Sequence, residues 1–593
     1  MGSVDYIVIV AYMALLASIG FIVKSFSSNI SDYFRAGCRG TWWLTGVSLF
    51  MQGFSAMVFT GISGQAYLGG LSVMVIFWTN ALVYFIHAAF IAPWLRQTRV
   101  ITPADAVRKR FGPRTEQIYS YYSIFGGILW GGVMLLGLAT FTSALFGMSL
   151  NLVILVVGCT VLLYSVTGGS WSVFIADNLQ AMVLLAVTLV ITGLCLHEIG
   201  GIGRILQLIR ETPGLAADYA FVKPEGHEYT TPFPVAKGLF TAPWILAMVF
   251  NAMLTAANLT GCYRYLSVKT GHEARKAAWL AGGLMIAGSF VWIVPPIIGR
   301  LLFSAEINAV EGIKSVDAAY AIVAKNLLPP GLIGLVLIAM FAATMSSMDS
   351  ALTGTAAVVI KNVYLPFRRL LKKAELTDAR QLLTGRIVNF SLGLWAIFWA
   401  LHLGRTSSQS GLFDVMLNIM VMIAAPASLP FACALFVKKV PSWAAIFSMC
   451  TGMAASASIF FAGKFNPDFS MVWATKMWTI AAAVIIPFLV TRLFHRTSPK
   501  EFYDKVDDFF SEIKTPIDFK AEVGEGNDLQ QLKIVGGLGL VIGASISLLL
   551  FAADDAAHRV AVAFVALFIL SISSLLVWLG VRSAGNKGTY EQE

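Results

Sequence analysis

Charge is scarce in this chain. Asp, Glu, Lys and Arg make up 12% of its 593 residues, about half the share found in a soluble domain, which is too little to solvate a globule of that size. Cysteine supplies no framework: Cys38, Cys159, Cys195, Cys262, Cys433 and Cys450 stand singly, within or beside apolar stretches, without the paired spacing of a zinc site or a disulfide scaffold. They read as small core residues. No glycine-rich loop followed by Lys and Ser or Thr is present, so ATP-driven work has no visible engine. Missing too are two histidines one helical turn apart on an apolar stretch, which argues against a metal-dependent enzyme within a membrane. No loop, nor the tail after Arg582, is large enough for a signalling domain, which argues against a membrane sensor.

Apolar length is what the chain has in abundance. Hydrophobic residues make up 57% of it, and they fall in blocks of about 20, the length that crosses a hydrocarbon core roughly 30 Å thick. Fifteen spans are predicted, with cores near 3–23, 41–70, 71–95, 117–147, 149–167, 170–197, 235–261, 277–303, 330–360, 387–403, 410–437, 441–462, 473–491, 534–552 and 560–581. The first, flanked by Asp5 and Lys24, lacks the basic leader and small-residue cleavage site of a secretory signal and reads as a retained helix. The chain is therefore expected to be an all-α polytopic membrane protein.

Basic side chains set the orientation, because short loops rich in Lys and Arg stay cytoplasmic. With the N-terminus outside, the cytoplasmic segments 24–40, 96–116, 262–276, 361–386, 438–440, 492–533 and the tail from Arg582 hold 31 of the 42 Lys and Arg. The net charge of +10 thus borders membrane spans instead of lining one soluble face, and no nucleic-acid partner is expected. Two polar stretches separate spans. An outer loop near 198–234, carrying Pro213, Pro224, Pro232 and Pro234, reads as irregular chain with at most a short helix, forming an external cap; an inner loop near 496–531 is dense in both signs of charge.

The second span departs from an ordinary membrane helix. Gln52-Gly53-Phe54-Ser55 lies at its middle, followed by Gly61, Ser63, Gly64, Gly69 and Gly70. Such a run invites an unwound backbone, whose free carbonyls are tolerated at bilayer depth only where they are buried in protein or line a cavity, as in cation-coupled transporters; close helix packing at the glycines is the alternative. Thr255 to Gly261, with Asn258 and Thr260, interrupts the seventh span in the same way, five spans later. That spacing suggests an inverted repeat of five plus five helices.

The ninth span carries Ala343-Thr344-Met345-Ser346-Ser347-Met348-Asp349-Ser350. At helical spacing Ala343, Ser346, Ser347 and Ser350 share a face, with Asp349 at its edge. Serine oxygens beside exposed carbonyls make a hard, weakly charged cage suited to an alkali cation, although serines also bond to the preceding turn of their own helix. A carboxylate inside a span faces a wet pathway or a partner ion. Asp177, accompanied by Asn178 and Gln180, is the second such group, set either for a cation or for a neighbouring backbone group or Arg. His87, the only histidine in the first three spans, reads as a hydrogen-bonded packing residue or a proton relay.

Five stretches together resemble the sodium:solute symporter family, whose members are sodium/glucose-cotransporter-like and have the LeuT-like fold. They are Asp32-Tyr33-Phe34-Arg35-Ala36-Gly37 with Trp42-Trp43 and Gly61 to Gly64; Tyr164 and Thr167-Gly168-Gly169 leading to Asp177 and Gln180; Arg264-Tyr265-Leu266; Glu273-Ala274-Arg275-Lys276; and Met345 to Ser350. The resemblance implies a ten-helix core over 41–437, built from repeats 41–197 and 235–437, preceded by an extra helix and cytoplasmic loop in 1–40 and followed by accessory helices in 438–593 with the loop 496–531. It also implies a sodium site made by the carbonyls of Met51, Phe54 and Ala343 and the hydroxyls of Ser346 and Ser347. A further cation is held in some members by groups at the positions of Asp177, Ser346, Asp349 and Ser350; here the carboxylate of Asp349 stands where a hydroxyl is expected, which leaves sodium, a proton carrier and an ion pair all open.

For the solute, two polar contacts of sugar carriers are absent, since Phe77 precedes Trp78 and Val58 stands where a Gln is expected. What remains around the expected centre is Gln52, Ser55, Thr60, Asn80, Asn251, Thr255, Asn258 and Asn418, with Trp78 and Tyr84 able to stack on or close over a ligand. Amides beside aromatic platforms fit a sugar or sugar-acid-like metabolite. The expectation is a sodium-coupled importer of such a solute, a secondary active transporter and not an enzyme, working as a monomer among lipids of the plasma (inner) membrane. Proton coupling, or an uncoupled channel or sensor on the same scaffold, is the alternative.

Overall fold

A computed structural model describes residues 3–22, 30–167, 170–233, 235–258, 261–310, 315–329, 331–374, 376–406, 411–466, 469, 471–553 and 555–590. Helix dominates, and β-structure among these residues is confined to two isolated bridges, Gly40 with Val268 and Lys223 with Thr241. The membrane helices are α1 (Ser3–Ile22), α2 (Trp42–Gly53), α3 (Ser63–Gly69), α4 (Met74–Ile86), α5 (Pro113–Phe146), α6 (Leu150–Thr167), α7 (Ser170–Ile199), α8 (Ala242–Thr255), α9 (Gly271–Trp292), α10 (Leu332–Val358), α11 (Asp378–Thr406), α12 (Ala425–Phe436), α13 (Ala444–Phe465) and α14 (Trp473–Val490). A helix α15 (Lys500–Glu512) in the charged loop and the membrane helices α16 (Asp528–Ser547) and α17 (Ala556–Tyr590) complete the described chain.

Eleven helices among the described residues are long and apolar enough to cross a membrane, and they fall on eleven of the fifteen predicted spans. The other four spans correspond to α1, to α2 with α3 (the start of the long helical stretch Val58–Gln97 that runs on into the third span), to α6 and to α8. Both predicted interruptions are present. The first leaves helical geometry at Phe54, with φ −117° and ψ 100°, before the chain resumes through a π-turn, Val58–Ile62, into α3. At the second, α8 stops at Thr255 and the next helical turn is the 3-10 segment Tyr263–Ser267; residues 259 and 260, Thr260 among them, lie outside the described residues.

α9 packs along both α2 and α4, whereas α5 packs along α10 and α11, and α7 bridges the two groups through α2 and α10. With a break in the first helix of each five-helix repeat, this is the LeuT-like architecture. The two broken helices are also stitched next to the N-terminus of α2, where the Gly40 N–H donates to the Ser267 carbonyl over 2.9 Å. α16 and α17 form a tight hairpin because glycines let the helices touch: a Cβ on Gly536, Gly539 or Gly543 would meet Val577, Ser573 or Leu570 at 2.7, 2.2 and 2.7 Å. From the start of this hairpin the buried Gln531 accepts from the Thr41 N–H (3.3 Å) and hydroxyl (2.9 Å), capping the N-terminus of α2 from outside its own sequence neighbourhood.

The outer loop is more regular than its prolines suggest. Before Pro213 the chain forms the helix Ile202–Glu211, then one turn at Leu215–Asp218, and the described residues from there to α8 are irregular. Helix is possible because the prolines begin only after it. The loop closes over the end of α3, where the Tyr219 ring lies so near Gly70 (φ +55°) that a Cβ there would sit 2.5 Å from it. In the charged loop α15 buries Val506, Phe509 and Phe510 against Trp94.

Candidate functional site

The first break is held open by hydroxyl groups. The Tyr84 hydroxyl on α4 donates to the Leu49 carbonyl over 2.7 Å, and a Cβ on Gly53 would lie 2.5 Å from that same oxygen. Only glycine fits there. Beyond the break the Ala56 N–H donates to Thr344 Oγ1 on α10 over 3.0 Å, and the Met57 N–H to Ser55 Oγ over 3.3 Å. Ser347 joins α10 to the broken helix: its hydroxyl lies 3.3 Å from the Met51 carbonyl, 3.1 Å from that of Gln52 and 3.1 Å from that of Ala343. Three of the five groups that the resemblance assigned to sodium thus converge on one buried point, and the Gln52 carbonyl joins them.

Ser346 faces a second centre. Arg264, on the 3-10 turn that follows the second break, donates from Nη2 to Ser346 Oγ over 3.2 Å and from Nη1 to Asp177 Oδ2 over 2.5 Å. Nη1 also contacts the Ser48 hydroxyl, which itself donates to Asp177 Oδ2. Side-chain exposures of 4% for Arg264 and 1% for Asp177 make this a buried ion pair. It joins α2, α7, α10 and the second broken helix. Asp177 Oδ1 has no hydrogen-bond partner among the described residues. The side chains of Asp349 and Ser350, and the whole of Gly168 and Gly169, lie outside the described residues.

The residues expected around a solute separate into groups. Thr60 bonds back to the Ala56 carbonyl (2.9 Å) and Thr255 to that of Asn251 (2.6 Å), so both hydroxyls serve their own helices. Asn418 donates to the Asp414 carbonyl at 2.8 Å and accepts from Lys476 on α14 at 3.2 Å. The Trp78 ring is 40% exposed and rests on Phe221 of the outer loop, with ring centres 5.8 Å apart. Gln52, Asn80 and Asn258 are half-buried. Asn251 is buried, and its Oδ1 has no partner among the described residues.

Sequence reasoning missed the aromatic wall at the first break. Trp292, at the end of α9, lies 3.8 Å from Phe54 and 5.8 Å from Phe77 between ring centres, and Phe59 meets Tyr320 edge-on at 4.8 Å. Trp292 Nε1 and Tyr320 Oη are buried without hydrogen-bond partners among the described residues. In the sequence Trp292 is one aromatic inside the eighth predicted span, and Tyr320 lies in none of the fifteen.

A polytopic helical protein with two broken helices, carbonyls and hydroxyls converging at one break and a buried charge pair beside the other has the design of a secondary active transporter. The family model for the sodium:solute symporter family matches residues 33–452, and the chain belongs to that family. It is 28% identical over 494 residues to sodium/glucose cotransporter 2 of Rattus norvegicus, covering 77% of this chain and 72% of that one. To solute carrier family 5 member 4B of Mus musculus it is 25% identical over 485 residues, covering 76% and 71%. Among solved structures, a Na+-coupled sialic acid symporter in a substrate-bound outward-open state superposes with a TM-score of 0.68 at 16% identity, over 83% of this chain and 98% of that one. Family membership establishes a multi-pass membrane protein that carries out sodium-coupled solute symport and is not an enzyme.

Proposed function

We propose that the chain imports a sugar or sugar-acid-like solute across the plasma (inner) membrane by alternating access, as a monomer, with residues 41–437 as the transporting core. The carrying observation is the position of Ser347, whose hydroxyl sits among the carbonyls of Met51, Gln52 and Ala343 at the junction of α2 and α10. A sodium ion takes these carbonyls together with Phe54 O and the Ser347 hydroxyl as ligands, and the Ser346 hydroxyl joins them by turning away from Arg264, to which it is bonded without the ion. Bound there, it fixes the broken helix against α10 and favours the form that accepts solute. By linkage the solute raises sodium affinity by the same factor. The membrane potential contributes about 2.3 kcal/mol per charge per 100 mV toward inward release.

For the solute, Asn251 Oδ1, Trp292 Nε1 and Tyr320 Oη, buried and without hydrogen-bond partners among the described residues, supply an acceptor, a donor and a hydroxyl that does either. The rings of Phe54 and Trp292 supply an apolar face of the kind that sugars stack on. Support for a sugar also comes from the sodium/glucose cotransporters among the relatives. The test is uptake by proteoliposomes of radiolabelled D-glucose, sialic acid and a panel of amino acids, with sodium or choline outside. Uptake of a sugar or sialic acid only in sodium is expected; uptake of amino acids alone overturns the solute class, and uptake driven by a pH gradient without sodium overturns the ion.

A further inference from the structure

α4 and the π-turn that continues it carry two side chains that reach one break each. Tyr84 donates to the Leu49 carbonyl at 2.7 Å, in the last full turn before the first break, and presses on Gly53. His87 is three residues on, one turn along the same face, where α4 widens into the π-turn His87–Ile91. Its Nε2 lies 2.7 Å from the Ala256 carbonyl, the first residue past α8, and its Nδ1 lies 3.1 Å from the Tyr265 hydroxyl beyond the gap. A carbonyl only accepts, so Nε2 carries the hydrogen, and in the neutral ring Nδ1 accepts from Tyr265. One imidazole therefore spans the interruption, from the end of α8 to the 3-10 turn that bears Arg264. The rings of Tyr84 and His87 also meet edge-on, 6.0 Å apart.

We propose that Tyr84 and His87 form a clasp that makes the two broken helices one mechanical unit, positioning the carbonyls of the first break through the second and the reverse. Both are positioning residues; neither needs to touch ion or solute. Loosening one half of the clasp loosens both breaks, because the ring that remains shifts with its neighbour. A histidine that merely satisfies a local carbonyl would affect its own segment alone.

Hydrogen exchange of the purified full chain, read by mass spectrometry without ligand, distinguishes the two. The reporters are the amides of Phe54, Ala56 and Val58 at the first break and of Ala256, Asn258 and Tyr265 at the second, each of which donates a hydrogen bond within or beside its break. Tyr84→Phe, which removes one hydroxyl and keeps the ring, speeds exchange at both sets by roughly fivefold, the loss of one net hydrogen bond. His87→Leu does the same at both sets. His87→Gln, which keeps an N–H toward Ala256, stays within about twofold of the wild type, as a retained bond requires. Faster exchange confined to the break each variant touches, or at neither, overturns the clasp, as does His87→Gln behaving like His87→Leu. If His87→Leu does not fold, Tyr84→Phe still decides by whether the second break responds. A separate arm rests on the proposed sodium site: sodium chloride against choline chloride in thermal melts, where Tyr84→Phe and His87→Leu both raise the sodium concentration giving half the stabilisation. A wild type that sodium does not stabilise counts against the sodium site, while exchange still judges the clasp.

Discussion

At the first break two residues, Phe54 and Ser55, separate two helical halves, whereas at the second α8 stops at Thr255 and, among the described residues, helix next appears at Tyr263. The short break is held by neutral hydroxyls from Tyr84, Thr344 and Ser347. The long one is held by an imidazole and, just past it, by a buried guanidinium paired with Asp177. The difference is physical. A short gap frees few carbonyls, and these suffice, with hydroxyls, to cage an alkali ion that must leave again. A long gap leaves more backbone to organise and needs stronger, fixed partners, among which a permanent charge is the strongest. The first break is thus suited to exchange and the second to hold shape.

The largest effect is expected at the second break. Asp177→Asn removes the carboxylate paired with the buried Arg264, and breaking a buried ion pair from one side typically destabilises by about 3–5 kcal/mol. The melting temperature falls, and the double change Asp177→Asn with Arg264→Gln restores much of it. A single change that melts like the wild type would show that the second break is not held by this charge pair.

The first break is expected to yield less. Gly53→Ala places a methyl 2.5 Å from Tyr84 Oη, and overpacking of this kind costs about 1–3 kcal/mol, so sodium-dependent uptake drops by roughly tenfold or more. Adding Tyr84→Phe removes the clashing oxygen, and the double variant performs no worse than Tyr84→Phe alone. Equal uptake by Gly53→Ala and the wild type would mean that the break does not depend on this close approach.

The smallest effect belongs to the outer end of the first broken helix. Lys223 donates to Ser72 Oγ at 2.9 Å and to the Ala220 carbonyl at 2.5 Å, and lies 3.5 Å from the Gly69 carbonyl that ends α3. Burial lowers its ammonium from 10.5 to about 8, against an opposing pull from Asp218. Between those values the unfolded chain holds the proton more tightly than the folded one, so stability rises as pH goes from about 8 toward 10.5. Lys223→Met flattens that part of the melting profile; an unchanged rise would assign it to another group.

Both breaks were legible in the sequence because glycine, serine, asparagine and threonine do not occupy the middle of an apolar span without reason, and Gln52 to Ser55 and Thr255 to Gly261 announced them. The face shared by Ala343 and Ser347 followed from helical spacing alone. The Asp177 to Arg264 pair did not, because 87 positions separate the two and only the tertiary approach of α7 to the second broken helix brings them together. Tyr84 shows the same limit. An aromatic in the third span reads equally well as a platform for a solute or as a donor to a backbone carbonyl, and the kink at Gly53 decides which. Trp78 reads as central from its span, yet rotation of α4 directs its neighbour Phe77 to Trp292 and sets Trp78 against the outer loop.

The most direct test of the account is sodium-dependent uptake of D-glucose and sialic acid by proteoliposomes bearing wild type or the double change Ser346→Ala with Ser347→Ala. The account predicts uptake that requires sodium in the wild type and is lost in the double variant while its fold and melting temperature persist. Sodium-dependent uptake that survives the double change would contradict the placement of the ion at the junction of α2 and α10.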